Sequence, residues 1–332
     1  MEIFAPRYYH DFVCIASACP DSCCKDWTVD VDNASVNYYR TLPGALGDRL
    51  RAVLKTEDDS TVMTITDGRC PMWRQDGLCE IQAQLGHDAL CQTCRDFPRL
   101  HHDYGSFVEL GLELSCPEAA RLILQASSFA MTSQVISGGT EAEYDTEIME
   151  ILRRSRSEVL SFLESSAYPL PHTLAIIFLY AHSVQNEIDG GERVCFDPEA
   201  CLADARYYSA FGSIDNLFEL FKGLEILTPQ WKMRLNSSPV NRVWPNELCA
   251  LAGYFIQRYW FQAVADYDLV GRVKLTLAAC LLVNALGGDV IETAQLFSKE
   301  IENNPENIVS ILDAAYISPA LTDVNLLSLL MC

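Results

Sequence analysis

Nine of the fourteen cysteines lie between Cys14 and Cys116, less than a third of a 332-residue chain. They fall in two runs. The first, FVCIASACPDSCCKDW, is spaced Cys14-x4-Cys19-x3-Cys23-Cys24. The second, GRCPMWRQDGLCEIQAQLGHDALCQTCRDFPRLHH, is spaced Cys70-x8-Cys79-x11-Cys91-x2-Cys94, and Cys116 follows in ELSCPEAAR. Thiolates are soft donors, so clustered runs of them select zinc or iron–sulfur clusters over hard cations. One run supplies part of a coordination shell and the returning chain supplies the rest. Adjacent thiolates ligate one ion only with strain, so Cys23 and Cys24 face different sites or only one of them ligates. The competing use of dense cysteine is a disulfide scaffold, which belongs to short secreted domains. This chain opens MEIFAPRYYHDF, with no basic stretch leading into an apolar one. The expectation is therefore a cytoplasmic protein whose clustered cysteines bind metal. Cys195, Cys201, Cys249 and Cys280 stand singly among apolar residues and read as inert core thiols.

Other side chains near these runs have chemistry to offer. His101 and His102, directly after FPRL, are of the type that ligates metal or shuttles protons, although a solvated pair opening a loop is the commoner use. His87 sits between the cysteines of the second run. Arg95 and Arg99 flank Phe97-Pro98 and suit either an anion or the outer surroundings of an anionic thiolate centre. Asp21, Asp26, Asp30 and Asp32 form an acidic series, read first as a solvated face. The aromatic run Tyr254-Phe255 and Tyr259-Trp260-Phe261 is too broad for one helix face and reads as core.

The segments CIASACPDSCCKDW, CPMW with LCEIQAQLG and LCQTCRDFPR, and the closing ELSCPEAAR resemble the flagellin lysine-N-methylases (the FliB family) and the wider group of eight-cysteine zinc- or iron-chelating domains. The resemblance spans residues 1–120, and the eight matching positions are Cys14, Cys19, Cys23, Cys24, Cys70, Cys79, Cys91 and Cys94. It implies that these cysteines hold an iron–sulfur cluster, 4Fe-4S in preference to zinc. It also implies S-adenosylmethionine-dependent methylation of lysine side chains on flagellin or another lysine-bearing protein. The alternative is a non-enzymatic zinc- or iron–sulfur-binding protein or interaction module. Radical S-adenosylmethionine chemistry commonly uses a C-x3-C-x2-C run. Here Cys19-x3-Cys23 is followed by Asp26 at the required position, with Cys24 as the extra cysteine. Methylating an amine needs no radical, because a neutral lysine attacks the sulfonium methyl once its proton is lost. Gly138-Gly139 and Gly287-Gly288 lack the G-x-G-x-x-G pattern of a dinucleotide-type fold and read as helix ends. The sequence assigns neither a catalytic base nor a cofactor-binding residue.

Around these residues the composition is that of a globular protein with ample core, at 49% apolar and 21% charged residues. A net charge of -21 opposes nucleic-acid binding, which requires a basic face, and suits a lysine-bearing partner. The apolar run Leu275–Leu286 is shorter than the roughly 20 residues needed to cross a bilayer, so no membrane span is expected. The fold class expected is mainly α (α+β), with a small cysteine-rich unit over 1–116 and a helical array over 117–332. In the first unit, Trp27–Asp32 and Ser60–Thr66 read as strands, the second turning at Asp67-Gly68, and Phe107–Leu114 as a third. Asn33–Arg40 is expected to be a helix capped by Asn33, Cys79–Leu85 a short helix ended by Gly86, and Asp88–Cys94 another. From Pro117 onward apolar residues recur at helical spacing in eight or so windows, beginning with Ala119, Leu122, Ile123, Ala126 and Ala130 and including Tyr207, Phe211 and Phe218.

Overall fold

The computed structural model describes residues 1–25, 28–57, 60–208, 212–239 and 243–331. Strand β1 (Glu2–Pro6) is followed by β2 (Val29–Asp30), helices α1 (Asn33–Thr41) and α2 (Gly44–Val53), strands β3 (Leu54–Glu57) and β4 (Ser60–Met63), helices α3 (Glu80–Leu85) and α4 (Gln92–Asp96), and strands β5 (Arg99–Asp103) and β6 (Phe107–Leu112). Helix α5 (Pro117–Leu124) and strand β7 (Met131–Val135) lead into α6 (Thr146–Ser165), α7 (Leu170–Ile188), α8 (Pro198–Ala205), α9 (Ile214–Lys222), α10 (Pro229–Leu235), α11 (Glu247–Tyr259), α12 (Leu269–Leu286), α13 (Val290–Ile301), α14 (Pro305–Ala314) and α15 (Asp323–Met331). The protein is mainly α with two small sheets, as its patterning suggests.

Many of the abundant acids serve as helix starts. Asp145, Asp197, Asp268 and Asp289 each accept backbone N–H groups at the first turns of α6, α8, α12 and α13. Such a cap satisfies an otherwise orphaned donor and is worth about 1 kcal/mol. Helix α1 is capped by Asp32, which accepts from the Ser35 backbone at 2.9 Å, and not by Asn33, which is the first helical residue. Gly86, with φ of 87°, ends α3 as expected, because that conformation is strained for any residue with a Cβ.

Four strands form one sheet in the order β5-β6-β1-β7, and three form another in the order β2-β4-β3. In the larger sheet β1 runs parallel to β6, pairing Glu2 with Phe107, and antiparallel to β7. Strands β1, β3, β5 and β7 were not legible in the sequence patterning. The Ala119–Ala130 stripe stops being helical at Leu124, and the chain then turns into β7. The expected helix Asp88–Cys94 is a 3-10 turn at His87–Ala89 followed by the short α4. The expected strand Trp27–Asp32 is ordered as Val29–Asp30, with Trp27 outside the described residues, as is Phe211. Gly138-Gly139 lies in the loop between β7 and α6, so only Gly287, at the end of α12, closes a helix.

Two apolar cores result. The larger joins α5–α15 to Phe12, Phe107, Leu112 and Leu114, and the smaller contains Val29, Val36, Tyr39, Leu50, Met63, Met72, Ile81, Cys70 and Cys91. The cores therefore do not part at Cys116. Residues of β1 and β6 belong with the helices, β5 pairs with β6, and the cysteine-bearing unit is an insert between β1 and β5. Arg156 of α6 ties this sheet to the helices through Glu109 of β6, at 2.8 Å and almost wholly buried. Helix α12 is, by length and composition, apolar enough to cross a membrane, contrary to the estimate from the shorter run within it, but every residue of it is buried within the protein. It is the core helix around which the array packs. Its charges are internal: Lys274 bonds Asp323 at 2.8 Å and Arg272 bonds Asp266 at 2.9 Å.

Candidate metal centre and adjoining cleft

Six of the eight motif cysteines converge. Cys23, Cys24, Cys70, Cys79, Cys91 and Cys94 line one internal cavity of about 20 Å³, closed by Val29, Met63, Met72, Ile81 and Leu90. Local structure explains the convergence. Cys23 and Cys24 enter on the turn before β2. The backbone N–H of Cys70 donates to the Cys24 carbonyl at 2.7 Å, so the two runs are stitched together beside their thiols. Cys79 stands immediately before α3 and Cys91 immediately before α4, with Cys94 one turn into it.

The thiols are electrostatically linked. The single S–H of Cys24 is within hydrogen-bond reach of Cys23, Cys70 and Cys79, and bonding to one or another of them pushes the Cys24 pKa far above the ordinary cysteine value. The same bonds lower those of Cys23 and Cys70, and that of Cys79 to about 6. Cys91 and Cys94 form a second hydrogen-bonded pair, with Cys91 lowered and Cys94 raised. Among the described residues, no group of three or more Cys, His, Asp or Glu side chains is placed to hold a metal ion. All thirteen described cysteines are free thiols. The donor set fits a soft metal. The cavity has room for about one water-sized sphere, closer in size to a single ion than to a four-iron cluster.

Cys14 and Cys19 do not reach that cavity. They line a neighbouring cleft of about 580 Å³, together with Cys116. The cleft lies between the insert and the helices. Its walls include Cys23, Gln82 and His87 of the insert, Phe97, Pro98 and Arg99 before and at β5, and Lys299 and Asn303 at the end of α13. One carboxylate fixes the two sides together. Asp21, between Cys19 and Cys23, takes an ion pair from Lys25 at 2.6 Å, another from Lys299 at 3.2 Å and a hydrogen bond from Gln295 at 3.2 Å. Burial pushes the Asp21 pKa up, but the Lys25 bond and the Lys299 charge outweigh it and leave the carboxyl below its usual range. Helix α13 is itself anchored from behind, because buried Glu302 accepts from Tyr259 at 2.9 Å and Tyr254 at 3.1 Å and pairs with Arg258 at 3.1 Å.

The remaining expectations divide. The acidic series is not one solvated face: Asp30 is exposed, but Asp21 is occupied as described, Asp32 caps α1 and accepts from the Gln92 backbone at 2.8 Å, and Asp26 lies outside the described residues. His101 and His102 lie on strand β5, not at the head of a loop. His102 lines a separate cavity of about 30 Å³ with Glu109 and Arg258, and burial lowers its pKa. His87 and Arg99 line the cleft; Arg95 does not. The aromatics of α11 and the turn after it are core. Cys280 is buried as expected and Cys201 and Cys249 are partly so, but Cys195 is exposed. Gln295 and Lys299 escaped sequence reasoning because they lie far along the chain from Asp21. Cys116 was visible as a ninth cysteine, outside the spacing of the eight.

Fold and site together define an α-rich protein in which a thiol-lined insert is docked on a helical array across a cleft. No profile of a described protein family matches the chain, and no solved structure matches it. It is 35% identical over 131 residues to the flagellar biosynthetic protein FliU of Salmonella muenchen, covering 78% of that protein and 37% of this chain. It is 32% identical over 144 residues to a lysine-N-methylase of Salmonella typhimurium and 31% identical over 150 residues to one of Salmonella choleraesuis. The chain belongs to the family of FliU and the lysine-N-methylases (FliB). Its match spans 36% of the length of each lysine-N-methylase and 41% of its own.

Proposed function

We propose that this protein is a protein-lysine N-methyltransferase that uses S-adenosylmethionine and acts on flagellin or a similar lysine-bearing protein. The observation that carries the reading is the kinship with proteins named lysine-N-methylase, joined to a cleft of about 580 Å³, which is within the size range of cofactor sites. Phe12, Phe97 and Pro98 supply an apolar wall for the cofactor, and Arg99 a cation for its carboxylate. In the reaction the neutral lysine nitrogen forms a bond to the methyl carbon as the sulfonium S–C bond breaks, leaving S-adenosylhomocysteine. The proton of the amine passes to solvent or a base before attack. A net charge of -21 favours approach of a lysine-rich surface.

The inner thiols hold the metal in this reading: an iron–sulfur cluster, or the zinc ion that the small cavity accommodates more readily. When bound, the metal joins the two cysteine runs and so keeps the cleft wall in shape. The chain's own residues bind and orient the substrates. Anaerobic purification tests the centre. Iron with acid-labile sulfide and a brown colour supports the cluster, zinc in a colourless protein supports the single ion, and neither metal overturns the centre. Cys94→Ser should lose metal and thermal stability together, while Cys249→Ser should lose no metal. For the activity, the protein with its metal measured is incubated with S-adenosylmethionine and flagellin from the same organism, and methyl mass on lysine is sought. A free lysine has a pKa of about 10.4, so the rate should rise between about pH 7 and 9. No methyl-lysine, together with no calorimetric binding of S-adenosylmethionine by metal-replete protein, replaces the enzyme with a metal-binding interaction module.

A further inference from the structure

The edges of the two sheets differ in how they meet solvent. Strand β5, one edge of the larger sheet, carries Arg99 and Asp103, and β3, one edge of the smaller, carries Lys55 and Glu57. The other edge of the smaller sheet, β2, is two residues long and ends on Asp30. Charge and shortness are the usual guards against an added strand. Strand β7 has neither. It spans five residues, MTSQV, is exposed from Thr132 to Val135, and lies in a stretch from Leu122 to Thr140 that holds no charged residue. Its backbone phase is fixed from the β1 side. Ile136 donates to the Met1 carbonyl at 3.0 Å, and the Thr132 hydroxyl donates to the Ala5 carbonyl at 2.9 Å. Gln134 pairs with Ile3 between them, so Thr132, Gln134 and Ile136 turn their backbone N–H and C=O groups to β1. Those of Met131, Ser133 and Val135 therefore point outward, repeating about every 7 Å as a partner strand's do. The strand is anchored at its start, where Gln257 donates to the Phe129 carbonyl at 2.9 Å.

We propose that β7 takes an extended, lysine-bearing protein segment as an added strand along this edge. Main-chain bonds to Met131, Ser133 and Val135 hold the segment, and the charge beside the edge selects its sequence. That charge is negative. Exposed Glu2 lies opposite Val135 on β1, and the segment after β7 presents Glu141, Glu143 and Asp145 before any Lys or Arg. A second copy is the poorer occupant, because two chains of net charge -21 repel. Met131 lies at the end of the sheet where β1 finishes and β5 starts, so a bound segment runs toward the neck of the insert. The geometry of the strand carries this inference independently of the methylation reading, whose failure would leave it standing.

The probe is a synthetic peptide of alternating lysine and valine, about ten residues long, titrated into the whole protein by calorimetry at low salt without S-adenosylmethionine. It should bind, and the matching glutamate–valine peptide should not. Ser133→Pro removes one outward donor and leaves the bonds to β1 intact, so it should weaken binding about tenfold while keeping the thermal transition. If that variant fails to fold, the wild type still decides the question. A lysine–valine peptide N-methylated along its whole backbone keeps its charge but has no donors, and should bind at least about tenfold more weakly. In hydrogen exchange, the peptide should slow Ser133 and Val135 and change Thr132 and Gln134 little. No binding at about 1 mM peptide, equal binding by the N-methylated peptide, or unchanged exchange at Ser133 and Val135 overturns the proposal. Self-association of the wild type that Ser133→Pro abolishes also overturns it, since a second copy then occupies the edge.

Discussion

Asp32 links a helix start to the thiol centre by serving both at once. One oxygen accepts from the Ser35 backbone and the other from the Ser35 hydroxyl at 2.7 Å and the Gln92 backbone at 2.8 Å, the residue directly after Cys91. These bonds, the Gln92 one foremost, lower its pKa to about 2. The unfolded value is about 3.9, so the stabilisation is present above that pH and is lost as pH falls from about 4 through about 2. Asp32→Ala should therefore cost about 1 kcal/mol near neutral pH, as loss of a cap does. In urea unfolding the penalty should shrink near pH 3, and an equal penalty at both pH values would show that the charge plays no part. At this scale much was legible beforehand. The cysteines declared a thiol cluster by density alone, because soft donors in two runs have few other uses. How nine thiols divide was not legible, since spacing fixes neighbours along the chain and leaves open which side of a turn each sulfur takes.

Helix α11 is tied to the sheet by a close approach that only glycine permits. A Cβ placed on Gly253 would lie 2.1 Å from the Phe129 ring, and Gln257, one turn later, donates to the Phe129 carbonyl at 2.9 Å. Gly253→Ala must push that ring aside and should destabilise by about 1–3 kcal/mol, as overpacking does. Adding Phe129→Leu should restore part of the loss in thermal melts, and no restoration would place the strain elsewhere. The strands missed in the sequence lack a readable pattern for separate reasons. Strand β7 (MTSQV) is an edge strand exposed along nearly its whole length, and β5 (RLHHD) is polar on both faces, so neither shows an apolar–polar alternation. Strand β1 (EIFAP) is only five residues long. The helices were legible because each buries a stripe, and α12, buried all round, was read too short because Arg272 and Lys274 interrupt its apolar run while finding internal partners.

For the molecule as a whole, the helical array is incomplete without strands from the start of the chain. Residues 117–331 alone would lack β1, β5 and β6 and leave Arg156 buried without Glu109, and an unpaired buried charge costs about 3–5 kcal/mol. That fragment should show no cooperative thermal transition, and one matching the whole chain's would refute the shared core. The same topology has a consequence for the insert. Strand β1 ends, and β5 begins, at the same end of the sheet, two strand spacings or about 10 Å apart. Arg99 accordingly reaches to 5.1 Å from the Phe12 ring. The insert is thus a closed loop held at its neck by a sheet whose core contains none of its clustered thiols. If the insert loosens, its ends stay together, and its two cysteine runs remain at high effective concentration toward one another. On the proposed metal binding, loading is then an intramolecular gathering of ligands on an intact host, and a chelator-treated protein should recover its metal without passing through the unfolded state.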